Sequence, residues 1–453
     1  MEHFDAVIIG FGKGGKTLAS TLAKKGQHVA MIEKSSHMYG GTCINIACIP
    51  TKSLVFQSNK RQYSNEPKAA FYEKSIGEKD SLTSFLRDKN FHMLDDQEAV
   101  TVITGEATFL NDSKIQVTTA DKQFEVTADH FFINTGASPI TPPIDGLENA
   151  DFVYNSTTLQ ALKKLPEKLI IIGGGYIGME FASIYADFGA DVTVIDGSSE
   201  FLPNEDRDIA EEVKKVLEAK NITFATGSKV ASVKNRDGGV AVSFENSNGN
   251  SEEVFGNAIL LATGRKPNTE GLGLENTSIE VSDRGAIVVD DTLKTNVENI
   301  WALGDVNGGP QFTYISLDDF RIVKNQLFGD AKYTKQARKN VPYSVFIDPV
   351  LSQVGLNEKT ATEKGISYDV VTMPAAAIPR ARIINQTDGL LKALIDSDSK
   401  EILGCTLFCA ESSEMINVVR TAMEAQLPYT FLRDMIFTHP SMSEALNDLF
   451  AFE

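Results

Sequence analysis

The 453-residue sequence has few cysteine, histidine and tryptophan residues: four, six and one, respectively. Four cysteines in a chain of this length exclude a small secreted scaffold held by many disulfides. No apolar run reaches the roughly 18 residues that a membrane helix needs. The residues before the apolar segment Asp5–Ile9 have neither the cationic region nor the cleavage site of a signal peptide. From these absences we expect a cytoplasmic protein.

Positive charge is also scarce, because 43 lysines and arginines stand against 61 aspartates and glutamates, for a net charge of -18. Nucleic acid and anionic membranes repel such a chain, so we expect neither as a partner. The acidic residues form no long run, and their simplest role is a solvated surface. With 42% hydrophobic residues the chain can bury large cores, and its length suggests about three domains.

A glycine-rich turn near the N-terminus lies between two predicted strands. The apolar run Ala6–Ile9 is followed by Gly10, Gly12 and Gly15, then by a helical pattern and a second strand that ends at Glu33. The first glycine of such a unit makes the turn, the second lets backbone approach a pyrophosphate, and the third allows close helix–strand packing. The helix N-terminus holds the phosphates, and the acid accepts ribose hydroxyls. The pattern predicts a dinucleotide site.

The same pattern recurs further along the chain at one constant offset. Gly173, Gly175 and Gly178 correspond to the three glycines, and Asp196 corresponds to Glu33. A single fingerprint of this kind is weak evidence, whereas two that stay in step over a whole unit are strong evidence. The repeat predicts two dinucleotides bound by two related domains.

Later strands and linkers divide the chain into three units. Apolar strands ending in Thr-Gly at Gly136 and Gly264 close the two predicted sheets, and a further strand leads to Asp305. From Val341 onward, β-rich runs and helices carry no fingerprint. We predict an α/β protein with two Rossmann-like dinucleotide-binding domains and a C-terminal α+β domain. The predicted domains are 1–145 with 270–335, 146–269, and 340–453.

Two of the four cysteines, Cys43 and Cys48, lie in the segment Gly40–Lys52. On a regular helix their Cα atoms would be roughly 8–9 Å apart, whereas a disulfide needs less than about 7 Å. If they bond, the helix must be distorted between them, and Pro50 is suited to that. At a helix N-terminus the thiols would also lie in a field that favours thiolate. Cys405 and Cys409 lie in an apolar run typical of buried free cysteine.

The segment Gly40–Lys52 resembles the redox-disulfide signature of the flavoprotein pyridine nucleotide–disulfide oxidoreductases, which include dihydrolipoamide dehydrogenase, glutathione reductase and mercuric reductase. The resemblance covers the whole chain and extends to Ala262–Gly264, Gly304–Asp305 and His439–Glu444. It implies FAD in the first domain, NADH or NADPH in the second, and a homodimer formed through the third. One departure is Ala47, where the family usually has glycine before the second cysteine.

The resemblance also implies the residues that bind the cofactors. Those for FAD are Gly10, Gly12, Gly15, Glu33, Thr42, Lys52, Ala107, Gly136 and Asp305. Those for NAD(P) are Gly173, Gly175, Tyr176, Gly178, Asp196 and Gly264. Tyr176 would be the gate over the nicotinamide pocket. Asp196 favours NADH, because a 2′-phosphate would need cations and the following residues 197–200 offer none.

The resemblance implies a redox-active disulfide between Cys43 and Cys48. Electrons would pass from NAD(P)H through FAD to this disulfide and on to the substrate. Cys48 would be the thiolate against the flavin, and Cys43 the outward thiol that attacks the substrate. His439, oriented by Glu444, would be the acid/base and would complete the active site of the partner chain. The implied catalytic residues are Cys43, Cys48, His439, Glu444, Lys52 and Glu180. No residue is assigned to a metal.

Several stretches resemble one subgroup, the bacterial reactive-chlorine-resistance flavoproteins, which include hypothiocyanous acid reductases. These stretches are Gly10–Lys16, Met38–Ile46, Ala377–Arg382 and Phe437–Asp448. The subgroup implies a small oxidant, hypothiocyanous acid, as the substrate. Two alternatives stay open. One is dihydrolipoamide dehydrogenase, although the second histidine typical of that enzyme is absent at Phe437. The other is a Cu(II) or Hg(II) reductase or a thiol-based metal-binding or redox-sensing protein.

Overall fold

The structure is a computed structural model that describes residues 2–452. Its first unit is built on a largely parallel sheet, because apolar runs such as Ala6–Ile9 are buried on both faces. The first strands are β1 (Glu2–Ile9), β2 (Val29–Glu33), β3 (Val100–Thr104), β4 (Glu106–Asn111), β5 (Lys114–Thr118), β6 (Gln123–Ile133) and β7 (Ala137–Pro139). The first helices are α1 (Lys13–Ala23), α2 (Thr42–Asn45), α3 (Cys48–Arg61) and α4 (Lys68–Asp95).

In the first sheet, β3, β2, β1 and β6 are parallel neighbours in that order, and β5 and β4 continue the sheet in antiparallel pairing. The chain leaves β1 toward β2 on one side and returns at β6 on the other. Asn134, just after β6, donates its backbone N–H to Ile9 O at 2.7 Å. The carboxyl ends of β1 and β6 therefore border a crevice at a topological switch point, where α/β sheets bind ligands.

The second unit repeats this design. Its strands are β8 (Val153–Asn155), β9 (Lys168–Ile172), β10 (Asp191–Ile195), β11 (Ile222–Ala225), β12 (Lys229–Arg236), β13 (Gly239–Glu245), β14 (Ser251–Gly256), β15 (Ala258–Leu261) and β16 (Arg265–Pro267). Its helices are α5 (Ser156–Leu159), α6 (Tyr176–Phe188) and α7 (Arg207–Ala219). Five strands form a parallel sheet in the order β11–β10–β9–β15–β8, and β12–β14 form an antiparallel sheet beside it. The two linkers between the units pair as β7 and β16.

After the second unit, the chain returns to the first sheet and then enters the third unit. The return consists of β17 (Ile300–Ala302), which pairs in parallel with β6, and α8 (Thr313–Phe328). The third unit has strands β18 (Tyr343–Val345), β19 (Leu351–Gly355), β20 (Tyr368–Pro374), β21 (Leu390–Asp396) and β22 (Ile402–Phe408). Its helices are α9 (Glu358–Glu363), α10 (Pro379–Ile383), α11 (Ser412–Glu424), α12 (Tyr429–Asp434) and α13 (Ala445–Leu449). The sheet is antiparallel, and its core buries Cys405 and Cys409.

The predicted fold class is confirmed: two Rossmann-like units are followed by a C-terminal α+β unit. The predicted domain boundaries stay a prediction. Over residues 2–452, no helix combines the length and the apolar character that crossing a bilayer would require.

Candidate active site

The crevice between β1 and β6 is lined by glycine backbone and by the side chain of Asn134, which leave no room for a Cβ on these glycines. A Cβ on Gly12 would stand 2.5 Å from Asn134 Oδ1, and one on Gly41 would stand 2.7 Å from Gly12 Cα. Gly10 and Gly41 have φ values of +100° and +82°, in the region that favours glycine. Asn134 Oδ1 also accepts the Gly15 N–H at 2.8 Å. The N-terminus of α1 thus faces a narrow space suited to a pyrophosphate.

Two largely buried carboxylates flank this space. Glu33 ends β2 and accepts the Phe11 N–H at 3.0 Å, and burial raises the pKa of Glu33. Asp305 follows β17, where burial raises its pKa and the cation of Arg265 acts in the opposite direction. Acids at the ends of parallel strands are the groups that accept the sugar hydroxyls of a dinucleotide. The glycine cradle and these acids therefore fit the binding of FAD.

Other residues predicted to bind FAD lie around the same crevice. A Cβ on Gly136 would stand 3.7 Å from Thr42 Oγ1, so the turn after β6 adjoins the start of α2. Ala107 is buried on β4, two residues after Gly105, which donates its N–H to Glu33 O at 2.9 Å. The structure therefore brings these predicted residues to one edge of the first sheet.

The second parallel sheet presents an equivalent edge. The predicted NAD(P) residues at that edge are Gly173, Gly175, Gly178, Asp196 and Gly264. A Cβ on Gly173 would stand 2.5 Å from Ala262 O, and one on Gly174 would stand 2.7 Å from Asp196 Oδ2. The carboxylate of Asp196 therefore lies against the glycine turn, where it can accept ribose hydroxyls.

Tyr176, the first residue of α6, is held by contacts that the sequence did not reveal. Its hydroxyl donates to Glu205 Oε1 at 2.7 Å, and its ring stacks on Tyr343 of β18 with the centroids 5.3 Å apart. The Tyr343 hydroxyl donates to the same Glu205 oxygen at 2.7 Å. Glu205 is only 2% exposed, and burial raises its pKa. The ring over the predicted nicotinamide pocket is therefore positioned by two other parts of the chain.

Lys52 and Glu180 form the predicted ion pair. Lys52 Nζ lies 2.8 and 2.6 Å from the two carboxylate oxygens of Glu180, whose side chain is 10% exposed. Glu180 Oε1 also accepts the Phe346 N–H at 2.9 Å, and the Lys52 ammonium lies 4.8 Å from the Phe346 ring centroid. The pair thus joins α3 of the first unit to α6 of the second, with support from the third.

The helix that carries the two cysteines is interrupted, as a disulfide between them would require. Ile46 and Ala47 have φ, ψ values of -141°, 3° and -134°, -103°, and α3 begins at Cys48. Pro50 lies in the first turn of α3, where its missing N–H leaves the Ile46 carbonyl without the usual helical donor. That carbonyl instead accepts Gln160 Nε2 at 2.8 Å. The break therefore falls two residues before the second cysteine.

Cys43 and Cys48 are free thiols in this structure, and both are half-buried. The hydrogen bond from the Cys43 thiol lowers the pKa of Cys48 to about 6, and Thr313 and Lys52 act in the same direction. Thr313 Oγ1 lies 3.4 Å from the Cys48 sulfur. The contact between the thiols raises the pKa of Cys43. The pair therefore shares one proton, with the negative charge on Cys48.

His439 and Glu444 form a hydrogen-bonded pair at the far end of the chain. His439 Nδ1 lies 2.8 Å from Glu444 Oε2, and the two side chains are 71% and 17% exposed, respectively. Between residues 2 and 452 of one chain, no hydrogen bond links His439 to either cysteine. The imidazole is thus oriented by its own chain, while most of its surface faces outward.

These features define a class of protein: a nucleotide-dependent thiol–disulfide oxidoreductase, with a half-buried thiol pair beside one of two dinucleotide-binding edges. The chain belongs to the pyridine nucleotide-disulphide oxidoreductase family. The family model matches residues 4–319, and the model of the family's dimerisation domain matches residues 341–450.

Relatives of known name cover almost the whole chain. The probable pyridine nucleotide-disulfide oxidoreductase RclA of Escherichia coli K12 is 50% identical over 451 residues, or 100% of this chain and 99% of that protein. The mercuric reductase of Lysinibacillus sphaericus is 33% identical over 98% of this chain and 82% of its own. The structure of a Cu(II) complex of the HOCl-induced flavoprotein disulfide reductase RclA from E. coli matches with a TM-score of 0.95 at 49% identity, covering 100% of this chain and 99% of that one.

The protein is therefore an enzyme, an NAD(P)H-dependent flavoprotein disulfide reductase that acts on a sulfur group. Membership of the family implies FAD and a nicotinamide dinucleotide as cofactors. The dimerisation domain indicates a homodimer. The family, the fold class and the class of enzyme predicted from the sequence are confirmed.

Proposed function

We propose that the enzyme uses NAD(P)H to reduce a small oxidant, hypothiocyanous acid, to thiocyanate. The observation that carries this proposal is the half-buried thiol pair, whose mutual contact lowers the pKa of Cys48 and raises that of Cys43. Such a pair suits an oxidant of few atoms that needs a nucleophile, a resolving thiolate and a proton. The E. coli relative, which is 50% identical, is described as an HOCl-induced flavoprotein. This description supports a small reactive oxidant as the substrate.

The proposed chemistry balances with the groups present. The sulfur of Cys43 attacks the sulfur of hypothiocyanous acid, the S–O bond breaks, and the departing oxygen takes a proton to leave as water. Cys48 thiolate then attacks the Cys43 sulfur, releases thiocyanate and closes the disulfide. Bound FAD would supply the two electrons, taken from NAD(P)H, that reopen this disulfide between turnovers. The Lys52–Glu180 pair would hold the N-terminal part of α3, which carries Cys48, in place while the disulfide is reduced.

We assign the acid/base role to His439, oriented by Glu444, and place it in the active site of the partner chain. The exposure of His439 supports this assignment, as does the apolar surface near it. Phe431, Met435 and Ile436 are 47%, 39% and 95% exposed in one chain, an arrangement typical of an interface.

Mixed dimers test the assignment. Chains with Cys43→Ser and chains with His439→Ala are each expected to be inactive, while their heterodimer regains one working site. A heterodimer as inactive as its parents would contradict a shared site.

We propose NADH as the preferred nucleotide. Asp196 lies against the glycine turn of the second unit. The nearby cation Arg207 donates to Leu202 O at 2.7 Å and to Glu205 O at 2.8 Å, so its guanidinium is engaged by backbone. A 2′-phosphate would therefore meet the Asp196 carboxylate, while backbone carbonyls hold the guanidinium of Arg207. The kcat/KM ratio of NADH to NADPH is expected to fall in Asp196→Ala, and an unchanged ratio would contradict the argument.

The substrate is tested by following the oxidation of NADH and NADPH with each candidate oxidant offered separately. The oxidants are hypothiocyanous acid, lipoamide, oxidised glutathione, Hg(II) and Cu(II). We expect the fastest turnover with hypothiocyanous acid, its loss in Cys43→Ser with FAD still bound, and its retention in Cys409→Ala, which changes a buried thiol outside the site. Faster turnover with lipoamide would refute the proposal.

Cu(II) reduction is a second candidate function, because solved structures of the E. coli relative, including its C43S mutant, are Cu(II) complexes. Two adjacent sulfur atoms suit the reduced product Cu(I), which soft thiolate ligands favour. Cu(II)-dependent oxidation of NADH that exceeds turnover with hypothiocyanous acid, and that disappears in Cys48→Ser, would favour this function over the first.

A further inference from the structure

Lys16 carries a buried positive charge that no acid among residues 2–452 balances. It lies in the second turn of α1 with 5% of its surface exposed. Its ammonium donates to Gly40 O at 3.3 Å and to Asn90 Oδ1, and both acceptors are neutral. Throughout residues 2–452, no carboxylate forms an ion pair with it. Lysines are almost never fully buried unless they are paired, because desolvating an isolated ammonium is costly.

The second fingerprint provides an internal comparison for this position. At the offset that relates Gly10 to Gly173, Lys16 corresponds to Met179 of α6, which is 0% exposed. An unbranched apolar side chain therefore fills the same position in the unit that has no thiols. The fold does not need a charge there, so the charge of Lys16 calls for a local explanation.

The local feature is the segment that carries the outer thiol. Gly40, whose carbonyl accepts from Lys16, precedes Cys43 by three residues. Burial and the neighbouring Lys13 lower the pKa of Lys16 to about 8, while the Cys43 sulfur acts to raise it. The positive charge of Lys16 acts in turn to lower the pKa of Cys43, against the larger effect of Cys48.

We propose that Lys16 is a positioning residue for Cys43, whose buried ammonium stabilises the negative charge on the Cys43 sulfur during attack on the oxidant. Without help, deprotonation of Cys43 would place a second negative charge beside the Cys48 thiolate. The neutral acceptors that the chain itself offers to Lys16 leave its charge able to act on the anion that the reaction creates on Cys43. This inference rests on the proposed role of Cys43 as the attacking thiol and is independent of which oxidant is reduced.

The charged and polar groups around Lys16 and Cys43 determine whether Lys16 raises or lowers the pKa of Cys43. On α1 the nearest like charge is Lys13, and on α3 it is the Cys48 thiolate that opposes ionisation of Cys43. From α4, Asn90 is neutral and Arg87 donates to Asn45 Oδ1 at 2.8 Å. From α8, Thr313 contributes a neutral hydroxyl that acts to lower the pKa of Cys43. Removal of Lys16 therefore leaves the Cys43 anion less stabilised.

The test is the pH dependence of Cys43 alkylation in the FAD-bound enzyme reduced with dithiothreitol, with Cys48→Ala present throughout because the neighbouring Cys48 raises the pKa of Cys43 out of the accessible range. Iodoacetamide labelling of Cys43 is quantified by mass spectrometry, and FAD content by absorbance. In Lys16→Met, which copies the second unit, we expect the labelling midpoint to rise by roughly one pH unit, as removal of a nearby opposite charge does. Below the midpoint, labelling then slows about tenfold. Lys16→Arg keeps the charge and should restore the original midpoint.

Two further variants make the result decisive. Asn90→Asp gives Lys16 its own carboxylate partner without removing the hydrogen bond, so it should raise the midpoint too, and it decides the matter alone if Lys16→Met fails to fold. Lys392→Met is the matched control, because Lys392 is a lysine that is 1% exposed but paired with Asp208 at 2.9 Å. It should leave the midpoint unchanged.

Two outcomes would overturn the inference. One is an unchanged Cys43 midpoint in both Lys16→Met and Asn90→Asp. The other is loss of FAD from Lys16→Met without a shift of the midpoint, which would assign the charge to the cofactor phosphates instead. Labelling of Cys48 in place of Cys43 in the unsubstituted enzyme would contradict the proposed function itself, so the two failures are distinguishable.

Discussion

Removing the Cys43 thiol should destabilise the Cys48 thiolate and so raise the pKa of Cys48 by a measurable amount. The hydrogen bond from Cys43 is the largest of the effects that lower the pKa of Cys48 from 9.0 to about 6. A hydrogen bond to a charged group is worth about 1.5–3 kcal/mol, and one pKa unit corresponds to about 1.4 kcal/mol. In Cys43→Ala we therefore expect the pKa of Cys48 to rise by roughly one to two units.

The rise should stop short of the value of an ordinary thiol, because three other features persist in Cys43→Ala. Cys48 stays at the N-terminus of α3, whose dipole contributes about 0.3–1 kcal/mol. Thr313 Oγ1 stays 3.4 Å from the sulfur, and the charge of Lys52 also favours the thiolate. Adding Thr313→Val to Cys43→Ala should raise the pKa further, by less than the first substitution did.

The assay is the ultraviolet absorbance of the thiolate, measured against pH in the reduced protein without FAD. The other two cysteines do not interfere, because burial raises the pKa values of Cys405 and Cys409 far above this range. The double variant Cys43→Ala/Cys48→Ala should show no absorbance step below the pH at which tyrosines ionise. If Cys43→Ala kept its step near pH 6, the thiolate would owe its stability to the helix and Lys52, and the shared-proton description of the pair would be wrong.

Three further substitutions test the framework around the thiols. Gly12→Ala places a methyl group 2.5 Å from an amide oxygen, so we expect less FAD per chain by absorbance, and full FAD content would refute the cradle. Lys52→Met leaves the Glu180 carboxylate with one backbone donor and should lower the free energy of unfolding in urea by about 1–3 kcal/mol; no change would mean that solvent replaces the pair. Asp319→Ala removes the acceptor of the Gly304 N–H and one of the two carboxylates that pair with Arg338, because Asp318 stays, so the loss should reach about 1–3 kcal/mol in the same urea measurement, and no loss would mean that Asp318 alone holds Arg338.

The features that the sequence predicts best are those that repeat or that follow local stereochemistry. Gly10 and Gly173 must turn at positive φ wherever a strand passes into a phosphate-binding helix, so both could be placed from pattern alone. The interruption between Cys43 and Cys48 could be predicted in the same way, because their Cα atoms would be further apart on a regular helix than a disulfide allows. Its location at Ile46 could not be predicted, because the partner that accommodates it, Gln160, is distant in the chain.

The features that the sequence did not reveal are contacts between distant segments. The sequence around Glu205 does not show that its carboxylate accepts hydrogen bonds from the hydroxyls of Tyr176 and Tyr343. The polar helix α4 carries no motif in the sequence, yet its Arg87 donates to Asn45 of the segment that carries the two cysteines. Lys16 is different, because a signal was available. Aligning the two fingerprints sets this lysine against a methionine, and a charge at a position that is apolar in the repeat can be noticed without any structure.

The short strand β18 and the following residue, Phe346, limit how the C-terminal unit can be removed or exchanged. Tyr343 stacks on Tyr176 at the start of α6, and the Phe346 N–H binds Glu180 one turn further along the same helix. Two residues of the C-terminal unit thus reach two functional groups of the nucleotide-binding unit in their own chain. A fragment that ends before residue 340 would lose both contacts, even if its two nucleotide-binding units folded. For the same reason, a chimaera that exchanges the C-terminal unit between relatives should also alter the handling of the nicotinamide dinucleotide.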